Sequence, residues 1–269
     1  MKKMKTRIVG KIVAMAVVGL GMAMTPGVAS AEFYDFTVNE NVVPGMDGNG
    51  GTFVADQLVG SYNEVLTFGP GGAFATQAVA IFVGFNSTEG TVPQSNQIDV
   101  VAGTDLFEYG LYALFSSTGT VSGNVFTGTT SSFSLYVDPN VDTVSTLGAT
   151  GVSPIGQVGQ GEDLLVASGN VLFSGYGVAS DVGGFFDLQF LNPVFTAFGA
   201  TFMAGLPTGF NFLATIDEDL DEFEFTGNQT ITGQLSAQFE PVPEPASLAL
   251  LGLGMLGVVV AARRRKAAR

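Results

Sequence analysis

Between Glu32 and Ala262 the chain has no lysine, no arginine and no histidine, and cysteine and tryptophan are missing from all 269 residues. Each absence removes a chemistry. Without histidine or cysteine the body cannot assemble a Ser-His-Asp or Cys-His nucleophile system. The usual zinc and copper ligands are gone as well. Without lysine there is no Schiff base. Without any basic side chain there is no phosphate clamp, and no GxxxxGK[ST] loop occurs. The Asp-Thr-Gly signature of aspartic proteases is absent, because Asp142-Thr143 is followed by Val144. No disulfide can form, although export would permit one. Carboxylate pairs of the glycosidase kind remain, without tryptophan as a sugar-stacking partner. The inventory argues against an enzyme.

The ten basic residues sit at the two ends. Lys2, Lys3, Lys5, Arg7 and Lys11 precede an apolar run from Ile12 to Met24, which is too short to span a bilayer comfortably. Pro26 and Gly27 break that run, and Ala29-Ser30-Ala31 offers the small residues that signal peptidase accepts. Residues 1–31 therefore read as a secretory signal, cleaved after Ala31.

At the other end Val242-Pro243-Glu244-Pro245 leads into an apolar stretch from Ala246 to Ala262, then Arg263-Arg264-Arg265-Lys266. That stretch is at the lower length limit for one transmembrane helix. The basic cluster stays on the cytoplasmic side, which places the body outside the inner membrane. The three-part arrangement resembles the PEP-CTERM class of bacterial sorting signals over residues 241–269. The resemblance implies processing by an exosortase near Pro-Glu-Pro, with Val242, Pro243, Glu244, Pro245, Arg263, Arg264 and Arg265 as sorting residues. It also implies a producer of exopolysaccharide.

The intervening residues 32–240 are enough for one domain with a substantial core. They alternate with period 2 rather than 3.6. Ile231, Gly233, Leu235, Ala237 and Phe239 alternate with Thr232, Gln234, Ser236 and Gln238, and Phe186, Leu188 and Phe190 alternate with Asp187 and Gln189. Phe133, Leu135 and Val137 alternate with Ser134 and Tyr136. Further strands are expected at 64–68, 76–85, 110–116, 124–128 and 170–177. Turn signals such as Gly69-Pro70-Gly71-Gly72 and Asp138-Pro139-Asn140 separate them. Many short strands at this spacing predict an all-β domain, an antiparallel β-sandwich with a jelly-roll-like arrangement as one option.

All 24 aspartates and glutamates fall in the same interval that lacks basic residues. Such a body repels nucleic acid and anionic surfaces. Calcium is the one cofactor its oxygen-rich side chains suit. Asp138, Asn140 and Asp142 place oxygens at alternate positions, without the glycine and distal glutamate of an EF-hand loop. Asp217, Asp219 and Asp221 belong to the densest acidic run, for which a solvated loop is the plainer reading. The Asn86 and Asn228 sequons read as chance in a bacterial context.

Within the body, Tyr109-Gly110-Leu111-Tyr112-Ala113-Leu114-Phe115, Ser132–Pro139 and Gly184–Leu188 resemble segments of flocculation-associated PEP-CTERM proteins. That resemblance implies a floc- or biofilm-promoting protein held in an exopolysaccharide matrix, with signal peptidase and exosortase as partners. It carries over no catalytic residue. Two alternatives stay open. One is a glycan-binding module using exposed tyrosines among Tyr109, Tyr112, Tyr136 and Tyr176. The other is a glycoside hydrolase or lyase with two facing carboxylates.

Overall fold

The structure is a computed structural model that describes residues 33–88, 90–99, 107–180, 183–218 and 225–242. Along the chain it forms β1 (Phe36–Asn39), β2 (Thr52–Ala55), β3 (Gln57–Phe68), β4 (Ala73–Ser87) and β5 (Val92–Pro93). There follow β6 (Gly110–Ser122), β7 (Val125–Asp138), β8 (Val144–Thr146), β9 (Gly156–Val158), β10 (Leu164–Gly169), β11 (Leu172–Ser180) and β12 (Gly183–Leu191). The last elements are β13 (Val194–Phe195), α1 (Ala197–Phe202), β14 (Met203–Ala204), β15 (Phe210–Glu218) and β16 (Asn228–Pro241).

The expected strands all form, but they do not make a sandwich. β3, β4, β6, β7, β11, β12, β15 and β16 pair antiparallel in chain order. β16 then pairs back onto β3, from Asn228 opposite Thr67 to Gln238 opposite Gln57. The result is a closed up-and-down barrel. β10 and β11 lie one after the other along the same edge of β7, β10 against Phe133–Val137 and β11 against Val125–Thr127.

The departure from a sandwich has a physical reason. Period-2 alternation says that one face of each strand is buried. It does not say whether that face meets a second sheet or the far wall of its own sheet. Strand length and curvature decide that. β3, β4, β6, β7 and β16 are 12 to 15 residues long. Register shifts interrupt β3–β4 at Val59/Gly60 and β6–β7 at Thr118/Gly119, and bulges of this kind bend a sheet towards closure. At the second of them an inward Cβ on Gly119 would lie 2.1 Å from the Thr127 carbonyl oxygen and 2.6 Å from the Phe74 ring. Glycine there lets the wall bend and gives the ring its space.

The inward face is aromatic and aliphatic. Leu58, Phe82, Leu111, Leu135, Phe190, Phe212 and Phe239 are all essentially inaccessible. Phe133 stacks on Phe212 at 4.3 Å between ring centroids and meets Phe190 edge-on at 4.8 Å. The outward face carries hydroxyls and amides, with cross-strand pairs such as Ser116–Ser132 (2.8 Å) and Thr118–Thr130 (2.6 Å). This polarity is the reverse of a membrane-spanning barrel, which needs an apolar outer band.

A three-stranded sheet of β14, β1 and β2 packs against one end of the barrel. Phe36 meets Phe239 at 5.3 Å and Phe85 at 6.2 Å. Glu40, 1% exposed, ties this plug down by accepting from the Gly51 amide (2.8 Å), the Gln97 amide (2.7 Å) and the Tyr109 hydroxyl (3.1 Å). No helix among the described residues is long and apolar enough to cross a membrane. The expected signal peptide and the expected C-terminal span lie outside the described residues.

Candidate functional site

The segment between β7 and β10 is too long for a tight turn. It leaves the barrel at Asp138, runs out through β8, turns, and returns through β9 to Leu164. Connections of this length are uncommon in compact domains, and this one carries its own two-stranded sheet. The segment forms a strap laid over the outer wall of the barrel.

Its tip is fixed to the far end of the wall. The Gly151 amide donates to Thr67 Oγ1 at 2.8 Å, and Asn228 Nδ2 donates to the Ala149 carbonyl at 3.3 Å. The approach requires glycine, since a Cβ on Gly151 would lie 1.9 Å from the Ala75 carbonyl oxygen.

Its root is an acidic cluster. Asp138, the last residue of β7 and 3% exposed, accepts the Asn140 amide on Oδ1 (3.1 Å) and the Thr143 amide on Oδ2 (2.8 Å). An aspartate that bonds the backbone two residues on is a common way to stabilise such a turn. Thr143 Oγ1 donates to Asp163 Oδ2 at 2.9 Å, and the Tyr112 hydroxyl donates to the same oxygen. Gln157 Nε2 donates to the Tyr112 oxygen at 3.2 Å. Asp163 Oδ1 is buried with no hydrogen-bond partner among the described residues.

Asp138, Asp142 and Glu162 each bring a carboxylate oxygen within 4.8 Å of the others. Asn140 Nδ2 donates to Glu162 Oε1 at 3.0 Å. A hydrogen bond with Glu162 and then partial desolvation raise the pKa of Asp142, helped by the charges of Glu162, Asp138 and Asp163. Desolvation likewise raises Asp163. Carboxylate oxygens crowded within 4.8 Å of one another favour the neutral form of one member, and a hard cation would favour the charged form of all. The oxygen chemistry suits calcium.

Two of the three residues expected in this loop, Asp138 and Asp142, therefore meet. Asn140 turns its amide to Glu162 instead. Glu162 and Asp163 were missed because they enter from the returning arm of the strap, twenty and more residues later in the sequence. Asp217 lies in β15 opposite Phe185 and Gln234. Its side chain, with Asp219 and Asp221, falls outside the described residues. So do Ala29, Ala31, Pro243, Glu244, Pro245, Arg263, Arg264 and Arg265. Val242 is exposed, one residue beyond β16.

The four tyrosines do not share one exposed face. Tyr109 is fully buried under the end plug, and burial, then the charge and hydrogen bond of Glu40, push its hydroxyl well up. Tyr112 and Tyr136 face each other across β6 and β7 and stack at 5.2 Å on the outer wall. Tyr176 lies apart, beside Phe185 at 5.9 Å.

Between its two fixed points the strap stands off the wall and leaves a groove of about 470 Å³. Asn63, Val79, Ile81 and Thr230 form its floor, while Ser145 and Thr146 come from the strap. Asp138 and Thr143 border it at the acidic root.

A family model describes the C-terminal end of the chain. The PEP-CTERM protein-sorting motif matches residues 241–266. The chain thus carries the sorting signal that marks an exported substrate of exosortase, and the match begins at Pro241, the last residue of β16. No curated protein and no solved structure matches the chain.

Proposed function

We propose that the barrel is the cargo of this sorting signal, an exported matrix protein that promotes flocculation or biofilm formation together with exopolysaccharide. The signal peptide is removed after Ala31, the C-terminal segment holds the body at the inner membrane, and exosortase releases it near Pro-Glu-Pro to the cell surface or matrix. The observation that carries this reading is the sorting motif directly after the strand that closes the barrel. Processing there leaves every barrel strand intact. The outward hydroxyls and amides and the absence of basic side chains suit a hydrated, polymer-rich setting.

Calcium belongs to the same reading. A divalent ion at Asp138, Asp142 and Glu162 would neutralise the strap root and lock its two arms together. The reading assigns no catalytic step to the chain.

The test is genetic. The gene is deleted, and settling of the culture is compared with strains restored by the full gene or by one ending after Pro241, which keeps β16 whole. Loss of flocs rescued only by the full gene is the expected result. Unchanged settling in the deletion strain sinks the matrix role. Rescue by both genes keeps it and removes the need for sorting.

A further inference from the structure

We infer that the groove between the strap and the barrel wall is a binding site for a neutral glycan segment. The inference rests on the matrix reading and names the polymer chemistry that this surface recognises.

The groove is fixed by structure rather than left by chance. Gly151 against Ala75 and the bonds to Thr67 and Asn228 hold one end. The Tyr112, Asp163 and Thr143 bonds hold the other. A site anchored at both ends is already formed before a ligand arrives, which lowers the ordering cost of binding. Its volume of about 470 Å³ lies inside the ~300–1,000 Å³ range of small-molecule sites.

The lining matches the two-sided character of a pyranose ring. A ring presents carbon-bound hydrogens on its faces and hydroxyls around its rim. Ile81, 38% exposed although outward-facing on a polar wall, offers an apolar floor beside Val79. Asn63 and Thr230 on the wall and Ser145 and Thr146 on the strap surround that floor with donors and acceptors. Amide and hydroxyl groups of this kind form direct or water-bridged bonds to sugar hydroxyls.

Charge selects the sugar. Asp138 borders the groove, and the body between Glu32 and Ala262 holds no basic side chain. With no ion held at the acidic root, a uronate, sulfate or phosphate group would enter against like charge, and no basic side chain is there to receive it. A neutral hexose chain meets no such penalty.

The experiment uses the full chain in detergent micelles with a chelator present, so that no ion can bridge an anionic polymer to the protein. Binding is measured by titration calorimetry with neutral glucan and mannan oligosaccharides and with oligogalacturonate as the anionic probe. Two variants obstruct the groove from its floor at solvent-facing positions. Ile81→Asp removes the apolar contact, and Asn63→Met removes an amide and fills the space without adding a ring on which a sugar could stack. Saturable binding of a neutral series, weakened at least tenfold in both variants at unchanged Tm, is the expected result. Failure of every neutral probe, wild-type affinity in both variants, or tighter binding of oligogalacturonate overturns the inference. The outcomes separate from those of the settling assay. Glycan binding without a floc phenotype removes the matrix role alone, and a floc phenotype without glycan binding removes the groove alone.

Discussion

A single carboxyl group inside the barrel sets a testable pH dependence. Glu64 belongs to the inward row of β3, opposite Ala78 of β4 and Ile231 of β16, and is 4% exposed. Thr76 donates its hydroxyl to Glu64 Oε1. Ser117 and Ser131, also inward and buried, bond back to the strand carbonyls of Thr130 and Ser116. Burial pushes Glu64 up to about 7 from 4.5, and the Thr76 bond offsets only part of that shift. The folded state thus binds this proton more tightly than the unfolded chain. The penalty is absent below pH 4.5, grows between pH 4.5 and 7, and is complete above pH 7. A shift of this size corresponds to about 3 kcal/mol. Glu64→Gln keeps the shape and the acceptor for Thr76 without the charge. In urea unfolding the variant should match the wild type near pH 4 and exceed it by about 3 kcal/mol near pH 8. Acids that do not interact with Glu64 titrate alike in both proteins and cancel from the difference. A gap between the two proteins that is the same at both pH values would show that the carboxyl does not titrate in this way.

The strap is the element on which the proposed calcium site can be tested. Its two arms meet at Asp138, Asp142 and Glu162, and their mutual repulsion works against the bonds that hold the root. Calcium at ~10⁻⁴–10⁻³ M, the usual range of extracellular modules, should raise Tm, and a chelator should reverse the rise. The double variant Asp142→Asn, Glu162→Gln should lose the calcium-dependent part while keeping Asp138 for the Asn140 and Thr143 amides. An equal rise in the variant would assign the effect to general charge screening. The same element shows what the sequence could reveal. Asp138, Asn140 and Asp142 were visible as a candidate because their oxygens alternate locally. Glu162 and Asp163 were not, because only the fold of the strap returns them to Asp138. The strands were legible from alternation, and their joining into a barrel was not, since Leu58 or Phe239 would be inward in either architecture. Alternation puts Tyr109 and Tyr112, three residues apart, on opposite faces, but it could not show that both are buried, Tyr109 under the end plug and Tyr112 beneath the strap residues Gln157 and Asp163. Glu64 stood within an expected strand, and only closure of the barrel over it made it unusual.

At the scale of the whole molecule, charge and architecture pull in opposite directions. The barrel leaves no open edge along its closed sheet and buries an aromatic interior, which favours a compact state. Its surface carries acids with no basic side chain between Glu32 and Ala262 to pair with them. Every charged pair in that body is therefore repulsive, and compaction brings such charges closer together than they are in the unfolded chain. The Debye length shrinks from about 30 Å at 0.01 M salt to about 3 Å at 1 M, so sodium chloride removes most of the repulsion between exposed acids. Screening should therefore stabilise this fold, whereas a surface rich in attractive ion pairs would be weakened. A gain of about 1 kcal/mol across that range corresponds to a rise of roughly 2–4 °C in Tm for a domain of this size. Thermal unfolding of the processed protein in sodium chloride, with a chelator present to remove calcium, measures it. A Tm that stays flat or falls would mean that the exposed acids lie too far apart to couple, and that the acidic surface serves solubility alone.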